Sequence, residues 1–343
     1  MKTWTATSLY EHLQDVKLGG SVCLYTPELC EKMAATINKI NAIKKEKNAI
    51  ILAHSYVVPE IIRTVADFCG DSYELSKRAK ESDAELIIFA AVKFMAEGAK
   101  LLNPEKRVFV PSLHNGCSLA DSITGDDVKA LKEQHPDFTF VCYINTTVDV
   151  KAECDVCVTS SNVYDIITAI PNENIYFVPD RLMGQNIINE LAKRGVKKTI
   201  KYWHGTCYVH EEYSTDMIDY IRLQYPGVKV SAHPECSEEI IGKSDFIGST
   251  SQMVNYVKEN DAPYHFMLTE CGLTSRIQSE EPGKTFVGSC TMCKYMKSNS
   301  LDNILSTLEN EPSAHEIHLE ASKTQAALNC LNEMFRLNNL TKA

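Results

Sequence analysis

Ala49-Ile50-Ile51-Leu52-Ala53-His54-Ser55-Tyr56 is an apolar, β-rich run that ends in a polar cluster, and the chain carries two more runs of the same kind. They are Phe138-Thr139-Phe140-Val141-Cys142-Tyr143-Ile144-Asn145 and Val228-Lys229-Val230-Ser231-Ala232-His233-Pro234-Glu235. Each reads as a buried parallel strand with a functional tip. Twelve or thirteen residues beyond His54, Tyr143 and His233 stands an Asp, followed five residues later by a hydroxyl: Asp67 with Ser72, Asp155 with Ser160, Asp245 with Thr250. A further strand follows each Asp, at Leu86 to Ala91, Ile175 to Val178 and His265 to Leu268, and each unit then closes on a cysteine, Cys117, Cys207 or Cys293. Four landmarks in one order, recurring at close to ninety residues, mark an internal repeat.

Helical stretches separate the landmarks, at Glu74 to Glu81, Ser161 to Ile170 and Gln252 to Lys258. Strands alternating with helices at this spacing mean parallel βαβ units. The expected fold is therefore α/β, with three similar βαβ-type parallel-sheet domains around a pseudo-threefold axis and the active site at their junction. The expected boundaries are 46–134, 135–224 and 225–310, with an N-terminal helical extension over 1–45 and a C-terminal helix over 311–343. Ligands of open α/β sheets bind beyond the carboxyl ends of the strands. There the sequence places His54, Tyr56, Tyr143, Asn145, His233, Glu235 and the three closing cysteines.

The 343 residues are 44% hydrophobic and 23% charged, enough for a sizeable core. A net charge of −10 without a stripe of Lys and Arg argues against a nucleic-acid partner. No apolar run reaches the roughly 18 residues of a membrane span, and the first twenty residues lack the apolar core of a signal peptide, so a cytoplasmic protein is expected. Thirteen cysteines then point to metal or redox chemistry rather than to a disulfide framework.

Three cysteines, one per unit, would meet at the junction. A structural zinc site normally has four ligands at local spacing. A 4Fe–4S cluster held by three thiolates keeps one iron free as a Lewis acid. The Cys-x2-Cys pairs Cys154/Cys157 and Cys290/Cys293 leave a zinc ribbon as an alternative. Cys23, Cys30, Cys69, Cys142, Cys236, Cys271 and Cys330 read as structural.

Several segments resemble the quinolinate synthase family. They include Ala53-His54-Ser55-Tyr56, Asp67-Phe68-Cys69-Gly70-Asp71-Ser72, Phe94-Met95-Ala96-Glu97 and Gly116-Cys117-Ser118-Leu119-Ala120-Asp121. Tyr143-Ile144-Asn145-Thr146, Thr159-Ser160-Ser161-Asn162, Gly205-Thr206-Cys207-Tyr208-Val209-His210-Glu211, His233-Pro234-Glu235-Cys236 and Ile247-Gly248-Ser249-Thr250-Ser251 continue the likeness, which runs from about residue 49 to 300. Ser55 stands where relatives often carry Tyr or Asn, and only Cys290 and Cys293 remain of a longer Cys-x2-Cys-x2-Cys array. The resemblance implies a transferase that condenses iminoaspartate with dihydroxyacetone phosphate to quinolinate for NAD biosynthesis. It also implies one 4Fe–4S cluster per chain on Cys117, Cys207 and Cys293, Cys290 being the alternative to the last, and functional coupling to an L-aspartate oxidase or dehydrogenase that supplies iminoaspartate.

Within that reading Tyr56, Glu235 and His210 are the expected catalytic residues, as proton donors and acceptors. His54, Ser72, Tyr143, Asn145, Ser160, His233, Ser249 and Thr250 are expected to bind substrate, the histidines by donating when protonated, or shuttling a proton when neutral, and the hydroxyls at helix N-termini. Two other classes remain: an aconitase-type hydro-lyase using the same open iron, and an oxygen or iron sensor, which would need a partner-binding segment that the chain does not display.

Overall fold

In the computed structural model, residues 2–18, 22–23, 25–289 and 291–341 are described. Three parallel sheets carry the fold. In the first, the strands run Phe68–Gly70, Ala49–His54, Leu86–Ala90, Arg107–Phe109 across the sheet; in the second, Val156–Val158, Thr139–Tyr143, Asn174–Val178, Thr199–Tyr202. The third repeats the order with Phe246–Ile247, Lys229–Ala232 and His265–Leu268. Where its fourth strand would stand, Thr285 to Val287 makes a short parallel bridge to His265. The central strands are buried on both faces, Leu86–Ala90 along its whole length, which accounts for their unbroken apolar sequences.

The repeat extends to the helices. Six-residue helices Pro59–Thr64, Val148–Glu153 and Glu238–Lys243 follow the first strand of each unit. Helices Ser72–Glu81, Val163–Ala169 and Thr250–Glu259 follow the second strand, and Lys93–Leu102, Arg181–Lys193 and Gly272–Glu280 the third.

The recurring Asp has a structural task. Asp67, Asp155 and Asp245 each bond twice to one residue of the neighbouring strand. The main-chain N–H of Ile51, Phe140 and Val230 donates to the carboxylate at 2.8, 2.7 and 2.9 Å. The N–H of the Asp returns a bond to the carbonyl of the same residue at 2.9, 2.9 and 2.8 Å. A base on the helix preceding each unit completes the clamp: Lys44 with Asp67, Lys132 with Asp155 and Arg222 with Asp245. The clamp fixes the register of the two strands whose tips face the site.

Packing joins the chain's ends to the body. Helices Pro27–Glu46 and Leu301–Asn310 share the core of the first sheet, through Ile37, Ile40, Leu301, Ile304 and Leu308. The N-terminal region also holds helix Ala6–Leu13 and a two-residue antiparallel pairing of Lys17–Leu18 with Val22–Cys23. The last helix, Ala321–Leu340, lies on the second sheet through Ala327, Cys330, Leu331, Met334 and Leu337. The third unit has two smaller clusters of its own. No helix among the described residues is long and apolar enough to cross a membrane.

Removing one clamp should cost about 1–3 kcal/mol, the usual loss when a charge-assisted bond to the main chain is broken. Urea unfolding of Asp245→Ala against the parent measures it. Although burial alone would raise the Asp245 carboxyl, the Val230 N–H, Lys229 and Arg222 hold it below its ordinary 3.8. The difference between the two proteins should thus be complete above that value and shrink as pH falls through the lower folded one.

Candidate active site

Equivalent strand ends and closing turns of the three units line one cavity of about 710 Å³, including its mouth. His54, Tyr56, Ser72 and Cys117 come from the first unit, Tyr143, Asn145, Ser160, Cys207 and His210 from the second, and His233, Glu235, Thr250 and Cys293 from the third. Of the residues singled out in the sequence, Ser249 stays outside this lining. It is buried as the N-cap of helix Thr250–Glu259, its Oγ accepting the Gln252 N–H in a reciprocal capping box. Ser72 and Thr250 are instead the first residues of their helices and face the cavity, with Asp71 capping the former. Two helix N-termini, those after Asp71 and Ser249, therefore open toward the same space, a favourable setting for an anion, and the turn Thr159–Ser161 ahead of helix Val163–Ala169 lines it as well.

A continuous hydrogen-bond chain crosses the units. Tyr56 Oη lies 2.6 Å from Thr269 Oγ1 and 3.2 Å from Thr250 Oγ1. Thr269 Oγ1 is 3.0 Å from His210 Nε2, and His210 Nδ1 is 3.0 Å from Glu235 Oε2. Tyr143 Oη donates to Glu235 Oε1 at 2.7 Å, and Asn145 Nδ2 at 3.5 Å. His233 stacks on His210 with ring centroids 4.7 Å apart.

Only the Glu235 end of this chain can do nothing but accept, and that fixes its direction. An ionised Glu235 takes the Nδ1 proton of His210, leaving Nε2 to accept from Thr269, whose oxygen accepts from Tyr56. Burial by itself would raise the Glu235 carboxyl, but His210, His233 and the Tyr143 hydroxyl outweigh it and hold the group below its ordinary value. Burial raises the Tyr56 phenol far above its ordinary value despite the two threonine contacts. The acid and base ends of one chain are thus driven in opposite directions.

Of the two forms the sequence left open, two of the histidines are held in the neutral one. Burial, reinforced by Arg276, His233 and Lys297, lowers His54 to about 3; burial likewise lowers His233 to about 3 against the pull of Glu235. Both are neutral at physiological pH, so neither greets an anion as a cation. A neutral imidazole can still donate one hydrogen bond and accept another.

Each cysteine of the cavity precedes a short helical turn whose N–H groups point at its sulfur. Ala120 N donates to Cys117 Sγ at 3.5 Å, joined by Leu119. His210 N faces Cys207, and Tyr295 and Met296 N face Cys293. Burial pushes the Cys117 thiol up to about 12 and raises the other two. A cation bound there would reverse those shifts. Ligand atoms of Cys207, His210 and Glu235 also lie within 4.8 Å of one another, but His210 and Glu235 are already committed to each other. Cys290 lies outside the described residues.

Sequence reasoning passed over Thr269, Glu270 and Asp180. Glu270 is fully buried, pairs with Lys297 at 2.9 Å and accepts the N–H of Cys293 at 3.1 Å and of Gly272 at 2.6 Å, so it positions the third cysteine. Asp180 occupies the matching place after the second unit's third strand, where it bridges in parallel to Gly205 as Glu270 does to Thr291. The one signal for both was positional: an acid two residues past a buried strand, in two of three repeats.

Comparison with known proteins came down on one family. A family model described as quinolinate synthetase A protein matches residues 38–336. The quinolinate synthase of Sinorhizobium medicae (strain WSM419) is 41% identical over 300 residues, covering 88% of this chain and 80% of that protein. That of Caulobacter vibrioides (strain NA1000 / CB15N) is 40% identical over 316 residues, covering 91% and 84%. That of Alkaliphilus metalliredigens (strain QYMF) is 39% identical over 303 residues, covering 88% and 98%.

The neutrality of the two histidines has a checkable sign. Because unfolding lets His54 and His233 take up protons that the folded state refuses, they should draw stability down as pH falls from 6.5 toward about 3, and have no such effect above 6.5. Side-chain ¹⁵N NMR should show both rings uncharged at pH 5; an imidazolium signal from either would contradict the geometry.

Proposed function

This chain belongs to the quinolinate synthetase A family, and we propose that it is a transferase that condenses iminoaspartate with dihydroxyacetone phosphate to quinolinate, releasing phosphate and two waters. The observation that carries this reading is the meeting, in one cavity, of three cysteines from three units with a directed acid–base chain. The reaction is redox-neutral: iminoaspartate and dihydroxyacetone phosphate contain all the atoms of the products without an added oxidant. It calls for removing protons from carbon, expelling hydroxyls and phosphate, and holding three anionic groups.

Cys117, Cys207 and Cys293 are suited to hold a 4Fe–4S cluster. Each thiol receives main-chain N–H groups that stabilise negative charge on sulfur, and the cavity lies between them. When bound, such a cluster supplies one iron free of protein thiolate as a Lewis acid for hydroxyl and carboxylate oxygens.

The remaining chemistry falls to the side chains. Glu235, kept ionised, takes a proton from substrate carbon; Tyr56, kept protonated, gives one to a departing hydroxyl. The chain keeps the two ends in these states: with a proton on His210 Nδ1 and none on Nε2, Glu235 stays a carboxylate and Tyr56 a phenol, and after a turn Glu235 returns its proton to, and Tyr56 regains one from, the water the reaction releases. One proton enters and one leaves, so the pair is ready for the next elimination. Ser72 and Thr250, at their helix N-termini, and Ser160, in the turn ahead of helix Val163–Ala169, receive the carboxylates and phosphate. Asn145 and neutral His54 and His233 orient the oxygens by donating single hydrogen bonds.

We place this enzyme in the cytoplasm, downstream of an L-aspartate oxidase or dehydrogenase, because iminoaspartate hydrolyses too readily to be stored. An aconitase-type hydro-lyase would use the same residues on a hydroxy acid, and product identity separates the two.

The test is anaerobic reconstitution with iron and sulfide, followed by assay of iminoaspartate plus dihydroxyacetone phosphate for quinolinate. Cys117→Ala, Cys207→Ala and Cys293→Ala should each lose cluster and product together. Glu235→Gln should lower kcat by about 10²–10⁴. Thr269→Val leaves the acid and base in place but cuts the chain between them, and should lower kcat with little change in KM. Cluster binding without quinolinate would transfer the site to the hydro-lyase class.

A further inference from the structure

Four cysteines in the core of the second unit take no part in the cavity. Cys142 lies on strand Thr139–Tyr143 directly opposite Cys157 on the parallel neighbour Val156–Val158. Cys154 is the C-cap of helix Val148–Glu153, and Cys330 belongs to helix Ala321–Leu340. All four are buried within one apolar cluster. Cys142 Sγ is 3.6 Å from Cys330 Sγ and also touches the thiols of Cys154 and Cys157. The Cys154/Cys157 pair thus faces Cys142 and Cys330, while Cys293 lines the cavity; the ribbon pairing with Cys293 is not the one this fold makes.

A single buried cysteine is most simply a small hydrophobe. Four that gather around one sulfur from two strands' ends and a helix 173 residues further on, with Cys-x2-Cys spacing between two of them, match the donor set of a closed metal site. We propose that Cys142, Cys154, Cys157 and Cys330 bind a single tetrahedral divalent ion of the zinc class, in a structural site separate from the catalytic cavity.

Size selects one ion. Metal–sulfur bonds of about 2.3 Å in a tetrahedron put sulfurs about 3.8 Å apart, close to the 3.6 Å between Cys142 and Cys330, while the outer thiols stand farther from one another until an ion draws them in. Cys142 is the hub of the group, and loading draws the three outer thiols in around a shared centre. Charge is also provided for. One divalent cation replaces four thiol protons, leaving a centre of net charge −2. Lys151, fully buried, bonds to the neutral oxygens of Ile144 and Thr146, and its positive charge acts on Cys142 and Cys157 as well as on Glu97. All four ligands come from protein, so the ion would have no open position and no chemistry with substrate. Its effect would be to fasten the last helix to the second sheet.

The cavity thiols must be removed from the test because they too could take a soft metal. A Cys117→Ser, Cys207→Ser, Cys293→Ser protein, its fold verified by circular dichroism and a thermal melt, is loaded with cobalt(II) under reducing conditions. The expected result is about one cobalt per chain, with thiolate charge-transfer bands and the visible bands of a tetrahedral ion, displaced by zinc. Adding Cys154→Ser and Cys157→Ser should lower bound metal at least tenfold. In the parent protein, zinc should raise Tm without any change in iron content. A folded three-serine protein that binds no cobalt and no zinc overturns the proposal, whatever the further variants do. So does finding the four thiols joined as disulfides in the freshly purified parent.

Discussion

A buried carboxylate is tolerated only when its oxygens are fully engaged, and here that requirement organises the whole centre of the molecule. Glu235 stands at the tip of the third unit's first strand, yet its donors Tyr143, Asn145 and His210 all belong to the second unit. Separating these units would strand a charge in a dry interior. The first unit is tied in by a neutral extension of the same chain, where Tyr56 reaches Thr269 and Thr250. The site and the junction of the units are therefore one object: the bonds that satisfy the carboxylate also keep Glu235 a carboxylate and Tyr56 a phenol.

The three sheets do little more than aim residues at that object, and the sequence shows how economically. The landmark that made the repeat visible, the Asp at 67, 155 and 245, carries no chemistry toward substrate. It pins the second strand of each unit to the first, so that the tips and the helix N-termini beyond them keep a fixed relation. Repetition was readable because the same mechanical problem is solved three times with the same residue. The strand tips differ among the units, His54-Ser55-Tyr56 against Tyr143-Ile144-Asn145 against His233-Pro234-Glu235, so each unit brings different side chains to the shared cavity.

What escaped the sequence reading escaped for related reasons. Strands Arg107–Phe109 and Thr199–Tyr202 are short and partly polar, so no apolar run announced them, and in the third unit the equivalent piece shrinks to a bridge. Ser249 and Thr250 are adjacent hydroxyls at one helix start, and only coordinates tell the capping residue from the one facing the cavity. Thr269 belongs to no motif; its importance lies in what stands on either side of it in space. The neutrality of His54 and His233 follows from burial, reinforced at His54 by Arg276 and Lys297, quantities that no spacing encodes. The gathering of Cys142, Cys154, Cys157 and Cys330 depends on where the last helix docks, and helical periodicity predicts a helix without predicting its partner.

That docking has a consequence for how the protein comes into being. The second unit is complete in its strands by Tyr202, but the helix covering one side of its core, Ala321–Leu340, is translated more than a hundred residues later. During synthesis, at roughly 5–20 residues per second, a growing chain leaves that apolar face bare for several seconds at least. The middle of the molecule is the part most in need of shelter on the ribosome, and the closing helix acts as the seal whose arrival ends that exposure.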